Sequence, residues 1–94
     1  MAIKSFKNRA AEAIFQGKFV KRVGSDVAKI ALRKLTYLHA ATMLDQLRVP
    51  PGNQLEALVK DRKGQHSIRV NDQFRICFRW REGDAYEVEL VDYH

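Results

Sequence analysis

Between residues 74 and 81 the chain reads FRICFRWR, and this unbroken alternation leaves little freedom in how it folds. Successive side chains of a strand point to opposite sides, so Phe74, Ile76, Phe78 and Trp80 share one face. Arg75, Cys77, Arg79 and Arg81 take the other. The preceding stretch alternates as well, with Ile68 and Val70 against Ser67 and Arg69, and a turn is expected at Asn71-Asp72-Gln73. A two-residue turn would set Ile68 opposite Arg75 and mix the faces. A three-residue loop sets Val70 opposite Phe74 and Ile68 opposite Ile76, so the apolar pattern selects the odd-length loop. The same argument at Glu82-Gly83-Asp84 predicts a second three-residue loop, pairing Trp80 with Tyr86, Phe78 with Val88 and Ile76 with Leu90.

This register places charge as well as apolar surface. Arg69 falls opposite Arg75 on the face away from the aromatic residues, an unfavourable arrangement unless something negative sits between the two. Tyr93 reaches the same face, diagonal to Arg75. Two guanidiniums and a phenol then converge as a candidate phosphate cradle. Either arginine also fits a solvated sheet face or a pairing with Glu89. Arg79 falls opposite Glu87, as in a plain cross-strand ion pair.

The first half has a different period. Residues 2–6 fit a short opening strand, and RAAEAIF after Asn8 fits a helix stopping near Gly17. Ser25 offers an N-cap and Asp26 a negative charge in the first turn of a second helix over residues 26–41. Val27, Ile30, Ala31, Leu35 and Leu38 form its apolar stripe, with Lys29, Arg33 and Lys34 away from the stripe's centre. These cations suit either a solvated helix face or a surface for nucleic acid. Residues 43–47 can add a helical turn before Pro50-Pro51-Gly52-Asn53 breaks the chain.

The chain is one domain, residues 1–94, because that length has no room for a second core. Its net charge of +6 is uneven. Through Pro50, ten basic and three acidic residues give +7; from Pro51 onward, seven basic and eight acidic give −1. A basic half of this kind favours an anionic partner, nucleic acid first. Cys77 is the only cysteine, so no intrachain disulfide can form and a reducing compartment fits. No apolar run approaches a membrane span or a signal peptide, and a cytoplasmic location is expected. Three dispersed histidines without ligand spacing point away from a metal site, and no cofactor is implied. His39 ends the second helix, and His66 falls opposite Phe78 at the core edge.

The stretches PPGNQLEAL, KDRKGQHSIRVNDQFRICFRW and VELVDYH together resemble the HigB toxins, or plasmid-maintenance killer proteins, of the RelE/ParE superfamily. The resemblance covers essentially the whole chain. Its most specific parts are Gly64, Ser67, Ile68, Arg75 and Ile76 in their spacing, and the closing Asp92-Tyr93-His94. It implies an α+β, RelE-like fold, with two N-terminal helices packed on a mostly antiparallel twisted sheet. It also implies a type II toxin that cleaves messenger RNA in the ribosomal A site, against 16S rRNA, and is held by a HigA-type helix-turn-helix antitoxin. Two departures stand out. The family's L-K-G-D-R is here Leu58-Val59-Lys60-Asp61-Arg62, which on a strand turns the lysine to the opposite face, and Glu56 stands where some members carry histidine.

RNA can be cut without metal, because its own 2′-hydroxyl can attack the adjacent phosphate. The protein must move two protons and stabilise charge at phosphorus. Arg75 is the first candidate for the charge. Arg69, Lys60, Arg62 and Arg33 are candidates for binding RNA. His94 suits proton transfer near neutral pH, Asp92 can orient His94 or act as base, and Tyr93 can donate a hydrogen bond or stack on a nucleobase. Glu56 is a possible base. The competing readings are a binding domain that cuts nothing and a gyrase-directed toxin of the same fold.

Overall fold

A computed structural model describes residues 2–93. Two helices, α1 (Arg9–Phe15) and α2 (Ser25–Ala40), precede four strands: β1 (Glu56–Ala57), β2 (His66–Arg69), β3 (Phe74–Arg81) and β4 (Asp84–Asp92). The strands form one antiparallel sheet in the order β1-β2-β3-β4. Both helices pack on one of its faces, giving the expected α+β arrangement. There Ala11, Ile14, Ala31, Leu35 and Leu38 meet Ile68, Val70, Phe74, Ile76, Phe78, Val88 and Leu90 in a single core. Ile68, Ile76 and Phe78 are fully buried. Each apolar side chain of this kind contributes roughly 1.5–3 kcal/mol through removal from water.

The first hairpin has the predicted register. Ile68 faces Ile76, Arg69 faces Arg75 and His66 faces Phe78. The Val70 N–H donates to the Phe74 carbonyl at 3.0 Å. The loop is held by Asn71, whose Oδ1 accepts from the N–H groups of Gln73 (2.9 Å) and Phe74 (2.7 Å).

The second hairpin corrects the sequence reading. Arg81 faces Asp84, so the loop is the two-residue Glu82-Gly83, with Trp80 opposite Ala85 and Arg79 opposite Tyr86. Both loop residues have positive φ, 51° and 84°, the condition for a tight hairpin turn that follows strand twist. The extra residue sits inside β4 instead, as a bulge between Cys77 and Arg79 of the facing strand, where the expected Phe78–Val88 pair drops out. Glu87 there has φ 53° and gives its N–H to Ser5 Oγ at 2.9 Å. Beyond the bulge the predicted pairing of Ile76 with Leu90 holds. The Arg79–Glu87 ion pair forms at 3.3 Å despite the shifted register.

The opening residues run parallel along the free edge of β4, through bridges from Ile3 to Ala85 and from Phe6 to Val88. His39 holds their start, its Nδ1 accepting from the Ile3 N–H at 3.3 Å. Asn8 caps α1, its Oδ1 accepting from the Ala11 N–H at 3.1 Å. α2 begins one residue earlier than expected, with Gly24 and not Ser25 at the N-cap; Gly24 has φ 83°, which a serine there could adopt only with strain.

Lys34 also departs from the sequence reading, being buried at 6% exposure. Its Nζ donates to Oδ1 of Asn53, which is fully buried and in turn donates to the carbonyl oxygens of Leu47 (3.2 Å) and Val49 (3.4 Å). Burial, with Arg33 and Arg69 nearby, pushes the Lys34 ammonium below its ordinary range. The lysine thus ties α2 to the proline-rich turn that feeds β1.

Two predictions follow from this packing. Asn53→Ala leaves an ammonium and two carbonyls without their partner, and is expected to lower unfolding free energy in urea by about 2–3 kcal/mol. An unchanged midpoint would show the link to be dispensable. His66 stacks on Phe78 at 6.3 Å, its Nδ1 is buried with no hydrogen-bond partner among the described residues, and burial lowers its pKa. The unfolded chain therefore binds the proton more readily than the folded one. This contribution to stability is complete above about pH 6.5 and is lost as pH falls below that value. Thermal melts from pH 7.5 to 5.5 should show a fall in Tm that is smaller in His66→Phe; equal slopes in the two proteins would assign the effect elsewhere.

Candidate active site

The sheet face away from the helices carries the odd-numbered side chains of β2 and β3 and, beyond the bulge, those of β4. Its middle is one cross-strand row, Ser67–Cys77–Glu89, with Arg75 beside it opposite Val91. Ser67 and Cys77 are fully buried, and Arg75 and Glu89 are each 8% exposed. Such burial on a face without helices arises because residues 54–65 fold across it. β1 pairs with β2 so that Glu56 faces Ser67, and a 3-10 turn over Lys60–Arg62 brings Arg62 over the sheet.

Every contact of Arg75 is an acceptor. Its Nε donates to Ser67 Oγ at 2.7 Å and its Nη2 to the Gln54 carbonyl at 2.6 Å, with Glu56 Oε1 at 3.1 Å. Gln54 directly follows Asn53, so the Lys34 link and the Arg75 link meet at the same turn. Glu56 is largely exposed, and its carboxylate is the one partner of Arg75 that water reaches freely. Arg69 is opposite Arg75 as predicted, but it turns to Asp72 in the hairpin loop. The like charges are therefore separated by a carboxylate for each arginine. The alternative pairing of Arg75 with Glu89 is not formed. Glu89 instead accepts from Arg62 Nη1 at 2.9 Å and has Lys7 Nζ at 3.8 Å.

Tyr93 reaches this face at the end of β4. Its N–H is fixed to the Gln73 carbonyl at 2.7 Å, and its hydroxyl lies 3.9 Å from Cys77 Sγ. Burial and the adjacent thiol push the Tyr93 pKa up, so the phenol keeps its proton at neutral pH and remains a donor. Burial pushes the Cys77 thiol up as well, leaving it un-ionised. Cys77 faces Glu89, which holds Arg62, and lies two residues along β3 from Arg75, so Arg62, Arg75 and the Tyr93 hydroxyl share this face.

The remaining candidates separate. Asp92 faces Phe74, so it lies on the other side of the strand from Tyr93 and accepts from Gln73 Nε2 at 3.1 Å. Lys60 is exposed in the 3-10 turn with φ 56°; it is not on a strand, and the expectation that a one-place displacement reverses its face does not apply. Arg33 is exposed on α2, an element packed on the opposite side of the sheet. His94 lies outside the described residues. Among the described residues no group of three or more His, Cys, Asp or Glu side chains could hold a metal, and no helix is long and apolar enough to cross a membrane.

Ser67 and Glu89 are the members of the site that the residue-type search passed over. The hairpin register contains them, because once Ile76 faces Leu90 and Ile68, Cys77 must face Glu89 and Ser67. No comparable signal marks Gln54, which contributes only a backbone carbonyl.

Comparison with known proteins shows the family of the chain. Residues 4–94 match the family described as the RelE-like toxin of the type II toxin–antitoxin system HigB. The chain is 38% identical over 86 residues to Toxin HigB-1 of Vibrio cholerae serotype O1, covering 90% of each chain. It is 36% identical over 93 residues to Endoribonuclease HigB of Proteus vulgaris, covering 98% of this chain and 99% of that one. An uncharacterized protein of Haemophilus influenzae is 32% identical over 69 residues, covering 73% of this chain and 68% of its own. With family match, identity and α+β fold in agreement, the chain belongs to the HigB family of RelE-like toxins of type II toxin–antitoxin systems.

Proposed function

We propose that this toxin is an endoribonuclease that cuts messenger RNA in the ribosomal A site, and that a HigA-type helix-turn-helix antitoxin holds it in check. The observation that carries this reading is the gathering of Arg62, Arg75 and the protonated Tyr93 phenol on one helix-free sheet face. The name of the Proteus vulgaris relative supports the same activity.

In this reading the RNA 2′-oxygen bonds to the adjacent phosphorus as the bond from phosphorus to the 5′-oxygen breaks. One proton leaves the 2′-hydroxyl and one reaches the departing 5′-oxygen. His94, the residue after Tyr93, carries the proton transfer. Asp92 faces the other side of β4, and its part is to orient His94. Tyr93 donates a hydrogen bond to the oxygens on which charge accumulates, and Arg75 and Arg62 neutralise that charge. An RNA phosphate takes the place of the exposed Glu56 carboxylate on Arg75, so Glu56 yields its contact and is available as a base. Arg69 and Lys60 hold flanking phosphates, and Arg33, on the far side of the sheet, contacts 16S rRNA.

Primer extension on a defined message in a translating extract tests this reading. The wild-type chain should leave discrete cuts within codons, absent when ribosomes are removed. His94→Ala should cut about 100- to 10,000-fold more slowly, and Tyr93→Phe about 100-fold more slowly. Intact message at full ribosome occupancy would make the chain a binding protein. Intact message with inhibited DNA supercoiling would make it a gyrase-directed toxin.

A further inference from the structure

Glu89 is out of place on a surface that receives a polyanion. A buried carboxylate repels phosphate and is costly to desolvate, so it persists only where it is paired and put to use. It is not required by the core, which its neighbours Val88 and Leu90 enter from the other face of β4. Its partners are Arg62 at 2.9 Å and, more distantly, Lys7 at 3.8 Å. Arg62 is held through a single nitrogen, Nη1, which is shared between Glu89 and Gln65 Oε1 at 3.2 Å. The other two guanidinium nitrogens make no hydrogen bond to another described residue, and about a third of the side chain is open to solvent. A planar guanidinium gripped at one corner presents its free edge in a fixed direction.

We propose that Glu89 is a positioning residue for the cleavage reaction. Its carboxylate aims the free edge of Arg62 at the scissile phosphate, beside Tyr93. This rests on the ribonuclease reading above. It is Arg62 that touches the phosphate; Glu89 acts only through it. The arrangement also separates two duties among the cations: Arg75, tied to Ser67, Gln54 and Glu56 through Nε and Nη2, is built into the sheet and meets a phosphate only where Glu56 yields, whereas Arg62 is anchored but open.

The test is single-turnover cleavage of message on saturated ribosomes, with ribosome affinity measured separately. If Glu89 were only a misplaced negative charge, Glu89→Gln would bind at least as tightly and cut at the wild-type rate. As a positioning residue, Glu89→Gln should cut about 10- to 100-fold more slowly, with affinity unchanged or raised. The double variant Arg62→Ala/Glu89→Gln should cut no more slowly than Arg62→Ala alone, because the two residues act as one unit. Wild-type cleavage by Glu89→Gln, or multiplying losses in the double variant, would overturn the proposal. Should Glu89→Gln not fold, Arg62→Lys carries the test: it keeps the charge and can still pair with Glu89, but loses the fixed fork. A comparable rate loss supports positioning, and full activity overturns it. A wild-type chain that cuts nothing sinks the ribonuclease reading itself, and this inference with it.

Discussion

A guanidinium cannot lie in the middle of a sheet unless acceptors come to it, and much of this structure is arranged around meeting that demand for Arg75. Ser67 supplies one acceptor from the neighbouring strand. Gln54 and Glu56 supply the others from the segment that crosses the sheet. That segment is located by a second buried cation, Lys34, through Asn53. The two satisfactions share one turn, so α2, the proline-rich loop, β1 and β3 are coupled through hydrogen bonds and not only through the core. Disturbing either cation therefore reaches the site, even though Lys34 lies on the helical side.

The parts of the fold legible in the sequence are those where a period of two leaves one register. FRICFRWR and the Asn71 loop allow a single arrangement that buries Ile68, Ile76 and Phe78 together, and the structure has it. The second hairpin misleads for a physical reason. Parity decides whether a residue is added between the strands, but not where it goes. A third loop residue and a bulge at Glu87 restore the same Ile76–Leu90 pair, and Glu82-Gly83 can take positive φ, which favours the tight turn. Lys34 misleads differently. On a helix wheel it falls within the apolar stripe, four residues after Ile30 and four before Leu38, and only its charge speaks for the surface; the partner that satisfies it, Asn53, is nineteen positions away, which no local pattern reports.

The site was legible to the same extent. Alternation alone places Arg75, Arg69 and Tyr93 on one face. What it could not show was the state of each group. Arg75 is enclosed, Arg69 is drawn aside by Asp72, and Arg62, arriving from a 3-10 turn with no period of its own, is the open cation near Tyr93. A register identifies neighbours, but it does not say which neighbour is already paired.

That distinction bears on how a polyanion is recognised here. The excess charge of the chain lies in the first fifty residues, which build the helical layer, whereas most of the site comes from a second half with seven basic and eight acidic residues. Among the described residues Arg62, Arg69, Arg75 and Arg79 each hold a carboxylate. The helical layer thus supplies a field that acts over about one Debye length and favours a polyanion without regard to its sequence. The sheet face adds little net attraction of its own. On Arg75 it can bind a phosphate only by exchange, the incoming oxygens replacing the exposed Glu56 carboxylate, whereas Arg62 can receive one on its open edge without releasing Glu89. Exchange costs less where the departing group returns to water and more where it is buried, and that contrast sets the exposed Glu56 apart from the enclosed Glu89 on the same face.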